Sequence, residues 1–160
     1  MNYNFVKLLE FIRTVKSKND FLYESENASE LLYKQGTDID TELKGNLSDI
    51  IYESYIDYKK TTGGDFLKFK DDLEYYLKGL PEIRIELSKS PSESSLIKIS
   101  EWLRVNVAEN ILIEFVVNPV NVGGAVLIYQ GKYLDFSIKS FIDQFFSDPE
   151  AIINKYLRQN

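Results

Sequence analysis

Apolar residues Phe5, Leu8, Leu9, Ile12 and Val15 recur at the three- and four-residue spacing of one helix face and predict a first helix over about residues 3 to 18. A second is expected to begin at Asn27, where Asn27 and Glu30 have the spacing of a capping pair, to present Ala28, Leu31 and Leu32, and to stop at Gly36. Leu43, Leu47, Ile50, Ser54 and Tyr58, widened by Ile51 and Tyr55, outline a third over roughly residues 40 to 60. After the break at Thr61–Gly64, Asp65 can cap a fourth helix carrying Phe69, Leu73, Tyr76, Leu77 and Leu80, which ends before Pro81. Helices this short do not hold themselves together singly, so residues 1–80 are expected to pack as an antiparallel bundle.

Beyond Pro81 the period shortens. Ile83, Ile85 and Leu87 alternate with charged residues, the two-residue period of a half-buried strand. Ser90, Pro91 and Glu93 have the spacing of a capped helix start, and the helix they open carries Leu96, Ile99, Trp102 and Leu103 and ends between Val105 and Glu109. Ile111, Ile113, Phe115 and Val117 share one face of a second strand, and "GAVLIYQGKYLDF" reads as two more strands turned at Gln130–Gly131. Ser137 caps a helix showing Ile138, Phe141, Ile142 and Phe145, and Asp148–Pro149 opens a last short one with Ile152, Ile153, Tyr156 and Leu157. The fold class is therefore α+β: a helical bundle over 1–80, then a small strand-helix-strand-strand-strand-helix module over 81–160.

Composition narrows what such a fold can do. With 160 residues, 44% of them hydrophobic and 14% aromatic, there is ample apolar surface for a core. No apolar run approaches the roughly 18 to 20 residues that cross a bilayer, and the N-terminal apolar residues are interrupted by charges, unlike a signal peptide. A chain that is cytosolic or peripheral to a membrane is expected. The net charge of −6 argues against nucleic acid and anionic lipid as direct partners. There is no histidine and no cysteine, which removes Ser-His-Asp and Cys-His nucleophile systems and the usual zinc sites. Asp71, Asp72 and Glu74 are the best material for a hard cation, but Asp71 and Glu74 read as the solvent side of the fourth helix. Neither double glycine is followed by the Lys-Ser/Thr of a phosphate-binding loop. No catalytic residue, metal or cofactor is assigned.

The most informative stretch is "NPVNVGGAVLIYQGKYLDFSIKSFI". Gly123 and Gly124 permit a positive φ or a close backbone approach ahead of the hairpin, and Asp135 and Ser137 stand where the hairpin becomes a helix and an orphan amide needs an acceptor. This arrangement resembles the C-terminal module of the delta subunit of F-type rotary ATP synthases, the oligomycin-sensitivity-conferring protein of mitochondria. That family's pattern is Asp-Pro, Gly-Gly, a hydrophobic strand, a turn with glycine, then Asp-Gly-Ser and a helix. Pro119, Gly123, Gly124, Asp135 and Ser137 match it; Asn118 replaces the usual Asp and Phe136 the usual Gly. The resemblance covers roughly residues 82 to 146. The bundle before it is shorter than the family's, and the tail from Asp148 is additional. The E subunit of V/A-type ATPases has a similar Gly-Gly module, but behind a long charged helix that this chain lacks.

The resemblance implies a non-catalytic stator subunit in the peripheral stalk, joining the N-terminal segments of the α subunits to the C-terminal end of the b stalk. It would touch the membrane only through the complex, on the cytoplasmic face or the organelle matrix side. Such a protein needs apolar anchors at helical spacing for partner helices. Phe141, Phe145, Phe146, Ile152, Ile153 and Tyr156 lie in a C-terminal pair of helices that could offer an apolar patch. Phe141 and Phe145 are expected in the module's core, which leaves Phe146, Ile152, Ile153 and Tyr156 as the contact candidates. Tyr52 and Tyr55, with Tyr58, are either groove residues on the bundle, since tyrosine suits half-wet contacts, or partly buried bundle residues. The competing reading is an unrelated adaptor that uses a similar module.

Overall fold

Thr14 decides how the chain begins. In the computed structural model, which describes residues 3–32 and 39–147, the Thr14 hydroxyl accepts the Ser17 N–H and the Ser17 hydroxyl accepts the Thr14 N–H, each at 3.0 Å. This reciprocal cap starts helix α1, Val15–Leu31. The expected first helix is thereby cut to a 3-10 helix, Phe5–Glu10, whose Phe5, Leu8 and Leu9 are buried as their spacing requires. Asn27 and Glu30 do not open a second helix; they lie inside α1. The expected third helix is two, α2 (Ile39–Asn46) and α3 (Asp49–Thr62). Between them Ser48 is extended and donates its N–H to the Glu24 carboxylate. Helix α4, Phe66–Lys78, starts as expected at Asp65, whose carboxylate accepts the Lys68 N–H at 2.9 Å.

The chain divides into two compact units, Met1–Pro81 with Leu103–Leu112, and Glu82–Trp102 with Ile113–Asn160. In the first, the apolar stripes of the helices meet around an aromatic cluster. Tyr58 and Phe69 are edge to face with centroids 5.4 Å apart, Phe5 lies 5.9 Å from Phe69, and Tyr55 meets Phe66 at 5.2 Å. Such pairs add about 0.5 to 1.5 kcal/mol each beyond the area they bury. Two tyrosine hydroxyls leave this cluster for carboxylates, Tyr3 to Asp57 at 2.7 Å and Tyr58 to Asp72. From the later segment of the unit, the Arg104 guanidinium donates to the carbonyls of Leu9 at 2.7 Å and Ile12 at 3.0 Å, filling acceptors left open where the 3-10 helix ends.

The second unit is built on a four-stranded sheet in the order β2-β1-β3-β4. The strands are β1 (Glu82–Leu87), β2 (Leu112–Val117), β3 (Gly124–Tyr129) and β4 (Lys132–Ser137). Helix α5, Glu93–Asn106, connects β1 to β2, and α6, Ile138–Ser147, follows β4. Hydrogen bonds from Leu112 N–H to the Pro81 carbonyl and from Asn118 N–H to the Leu87 carbonyl bracket β1 and β2 in the same direction, so this pair is parallel. β3 is antiparallel to both β1 and β4, which makes the sheet mixed. The mixed α+β fold class is therefore observed. Two local expectations change. The Ser92 hydroxyl, not that of Ser90, accepts the first-turn amide of α5, from Ser95. Alternation in β2 fails because Leu112 is buried along with Ile111 and Ile113, Leu112 packing into the first unit's core. Among the described residues no helix is long and apolar enough to cross a membrane.

Burial raises the hydroxyl pKa of Tyr55 and of Tyr58, and hydrogen bonding to Asp72 adds to it at Tyr58. A raised folded-state pKa gives stability that is complete below the unfolded value, near 10, and is lost as pH rises through the folded one. In an alkaline titration of tyrosine absorbance, Tyr55 and Tyr58 will ionise only together with loss of the far-UV dichroism. Ionisation of all 11 tyrosines with the dichroism intact would contradict the burial of these rings.

Candidate interaction surface

The family-like stretch builds one continuous piece of the second unit. Asn118 to Asn121 form a turn closed by Asn121 N–H to the Asn118 carbonyl at 3.0 Å, with Pro119 at its second position, where a fixed φ is favourable. The Asn118 side chain accepts the Val120 N–H at 3.2 Å, a task an aspartate performs equally well. Gly124 has φ +81°, and a side chain there would meet the Phe136 carbonyl oxygen at 2.2 Å. Gln130 and Gly131 both have positive φ, the two-residue turn that suits the twist of a hairpin.

At the far end of β4 the Asp135 carboxylate accepts the Ser137 N–H at 2.8 Å, and the buried Ser137 hydroxyl accepts the Ser140 N–H at 3.1 Å, capping α6. The Ile138 N–H returns to the Gly123 carbonyl at 3.0 Å, tying the helix start to the glycine pair. The hydrogen bonds from Ser137 hold the Asp135 carboxyl below the usual aspartate value, because they favour the ionised form. Gly123, Gly124, Asp135 and Ser137 are thus brought together as backbone fixtures of a single hairpin and helix junction, while Pro119 shapes the separate turn that leads from β2.

What this junction presents is apolar. In α6, Ile138, Phe141 and Ile142 share one stripe, and Phe141 is 50% exposed. In β4, Leu134 is 52% and Phe136 62% exposed. The register sets Ile85, Leu127 and Leu134 in one row across three strands and Leu87, Ala125 and Phe136 in the next. The apolar face therefore runs from buried Ile85 outward to residues that stand in solvent. Phe141, expected in the module's core, is instead half exposed, and the exposure of Leu134 and Phe136 has one sign in the sequence, Phe136 standing where the pattern of the resembling family has glycine.

The other sequence candidates separate. Tyr55 is only 2% exposed and Tyr58 is fully buried, so both belong to the core of the first unit and not to a surface groove; Tyr52 borders a shallow recess with Ile56 and Lys60. The side chains of Phe145 and Phe146, and Ile152, Ile153 and Tyr156, lie outside the described residues. The acidic cluster on α4 is already engaged, with Glu74 paired to Lys78 and Asp72 accepting the Tyr58 hydroxyl. Among the described residues no group of three acidic, histidine or cysteine side chains is placed to hold a metal ion. A cleft of about 620 Å³ in the first unit is lined by Tyr3, Phe5, Asp72, Tyr75, Tyr76 and Leu80, among others.

No protein-family model matches the chain, and no curated protein matches it.

The two hairpin glycines differ in a measurable way. At Gly131 the space around a side chain is open, so Gly131→Ala meets only left-handed backbone strain, about 1–2 kcal/mol. Gly124→Ala adds a clash with a strand backbone, a further ~1–3 kcal/mol or more. Thermal unfolding is expected to rank Gly124→Ala as clearly the more damaging, and the opposite ranking would refute the close approach at Gly124.

Proposed function

We propose that the chain is a delta-type stator subunit of a rotary F-type ATP synthase, a non-catalytic linker between the N-terminal segments of the α subunits and the C-terminal end of the b stalk. It works at the membrane periphery through that complex. The observation that carries this reading is the half-exposed stripe of Ile138, Phe141 and Ile142 on α6, which offers anchors at three-and-four spacing to a partner helix. The hydrogen bonds of Asp135 and Ser137 support it, since they fix the direction in which that stripe is presented. The order of strands and helices from β1 to α6 parallels the module of the resembling family. The surface supplies contact area and shape, which suits a part that transmits force.

The test is a native pull-down of the tagged full chain from its own cells in mild detergent, with partners identified by mass spectrometry, beside the same experiment on Phe141→Asp. ATP synthase α, β and b subunits are expected in fixed proportion with the unaltered chain and are expected to be lost with Phe141→Asp at unchanged melting temperature. Recovery of a different stable partner would assign the module to another assembly and overturn the stator role. A large fall in melting temperature for Phe141→Asp would place Phe141 in the core.

A further inference from the structure

β4 lies at the end of the sheet, and among the described residues no strand pairs with its outer side. Natural edge strands are shielded by proline, bulges, inward charges or a covering element, because a free edge templates pairing. Along Tyr133 to Phe136 β4 has neither proline nor bulge, its one charge is Asp135, among the described residues nothing pairs with its outer side, and the Leu134 and Phe136 side chains beside that edge are more than half exposed.

The hydrogen bonds show which backbone groups of β4 are free. The Ile138 N–H points inward to the Gly123 carbonyl, and the Phe136 carbonyl also points inward, against Gly124. Backbone direction alternates along a strand, so Tyr133, Asp135 and Ser137 direct their N–H and C=O groups outward. The Ser137 N–H is occupied by the Asp135 carboxylate. Among the described residues the open N–H donors are therefore those of Tyr133 and Asp135.

We infer that this edge pairs antiparallel with β4 of a second copy of the chain, about a two-fold axis at Leu134. A two-fold axis normal to the sheet keeps side chains on their faces only if the paired residue numbers have an even sum. With the axis at Leu134, Tyr133 of each copy faces Asp135 of the other. Each such pair exchanges two backbone bonds, so all four open donors are satisfied. The side chains agree: Lys132 stands opposite Phe136 of the other copy, a cation over an apolar ring, and the tyrosine hydroxyl stands beside a carboxylate. Moving the axis to Asp135 sets two carboxylates against each other. Moving it to Tyr133 leaves Asp135 facing Gly131 in the turn. Only the register at Leu134 is complementary in both charge and hydrogen bonding, and it joins the two exposed rows of Leu134 and Phe136 into one apolar strip. This self-pairing stands independently of the stator role.

Because the chain has no cysteine, the register can be read by cross-linking. Residue 134 would face its own counterpart in a non-hydrogen-bonded pair, at a Cα separation of about 4.5 Å, within the range of a disulfide. Residue 136 would lie four positions from its counterpart along the strand, roughly 13 Å away and beyond reach. Under mild oxidation of the full chain, Leu134→Cys is expected to give a covalent dimer and Phe136→Cys is expected to remain single. In sedimentation velocity the unaltered chain should shift with concentration from 18.6 kDa toward twice that mass, and Leu134→Lys, which sets two ammonium groups together on the axis, should abolish the shift. A monomer at every concentration, or equal cross-linking at positions 134 and 136, would overturn the self-pairing.

Discussion

The Phe136 carbonyl occupies the place where a side chain on Gly124 would begin, and the second unit is organised around that close approach. It locks β4 to β3 in one register, with Ala125 opposite Phe136 and Leu127 opposite Leu134. Since side chains alternate along a strand, a slip of one residue would exchange the apolar row for Tyr133 and Asp135. The same register delivers Ser137 to the start of α6 with its hydroxyl aimed at the first turn. One backbone contact thus sets both what the hairpin shows to solvent and where the following helix begins.

The first unit rests on a different constraint. It holds no disulfide and is small, so its helices depend on large side chains that each bury much surface. Phe5, Tyr55, Tyr58, Phe66 and Phe69 supply these, and their mutual edge-to-face and tilted geometries fix the helices more closely than aliphatic contacts would. The tyrosines in this set carry a polar atom that must be satisfied, and Tyr58 does so through Asp72 on α4. An acidic cluster that reads from sequence as a solvated helix face is in part the terminus of a core hydrogen bond.

The elements that were legible are those whose signal is local. Charges between Ile83, Ile85 and Leu87 announce a strand, Asp65 announces a helix start, and Gln130–Gly131 announces a turn. The boundary at Thr14 was hidden because Val15 continues the apolar spacing of Phe5 to Ile12 straight through the reciprocal cap. The break at Ser48 was hidden likewise, since Leu47 and Ile51 keep helical spacing across it. Strand order is not encoded in any local period, so the exposure of Leu134 and Phe136 was out of reach: alternation tells which residues share a face, not whether anything covers it. The candidate surface was accordingly half legible, its backbone frame readable from Gly124, Asp135 and Ser137 and its apolar display not. Sequence alone leaves Tyr55 between a groove and the core for the converse reason, as a tyrosine stripe has the same spacing in both; the structure buries it.

Arg104 reaches the Leu9 carbonyl across 95 positions of sequence, and Leu112 joins the same core. The first unit is therefore interrupted in the gene: β1 and most of α5 are coded before its last pieces. A ribosome making the chain from its N-terminus releases the first 81 residues with two carbonyls still lacking their guanidinium and with the core one leucine short. Completion of the early half waits for the translation of the later one. The break at Pro81, which looks in sequence like a place to separate two proteins, divides the coding message at a point where neither product would be whole.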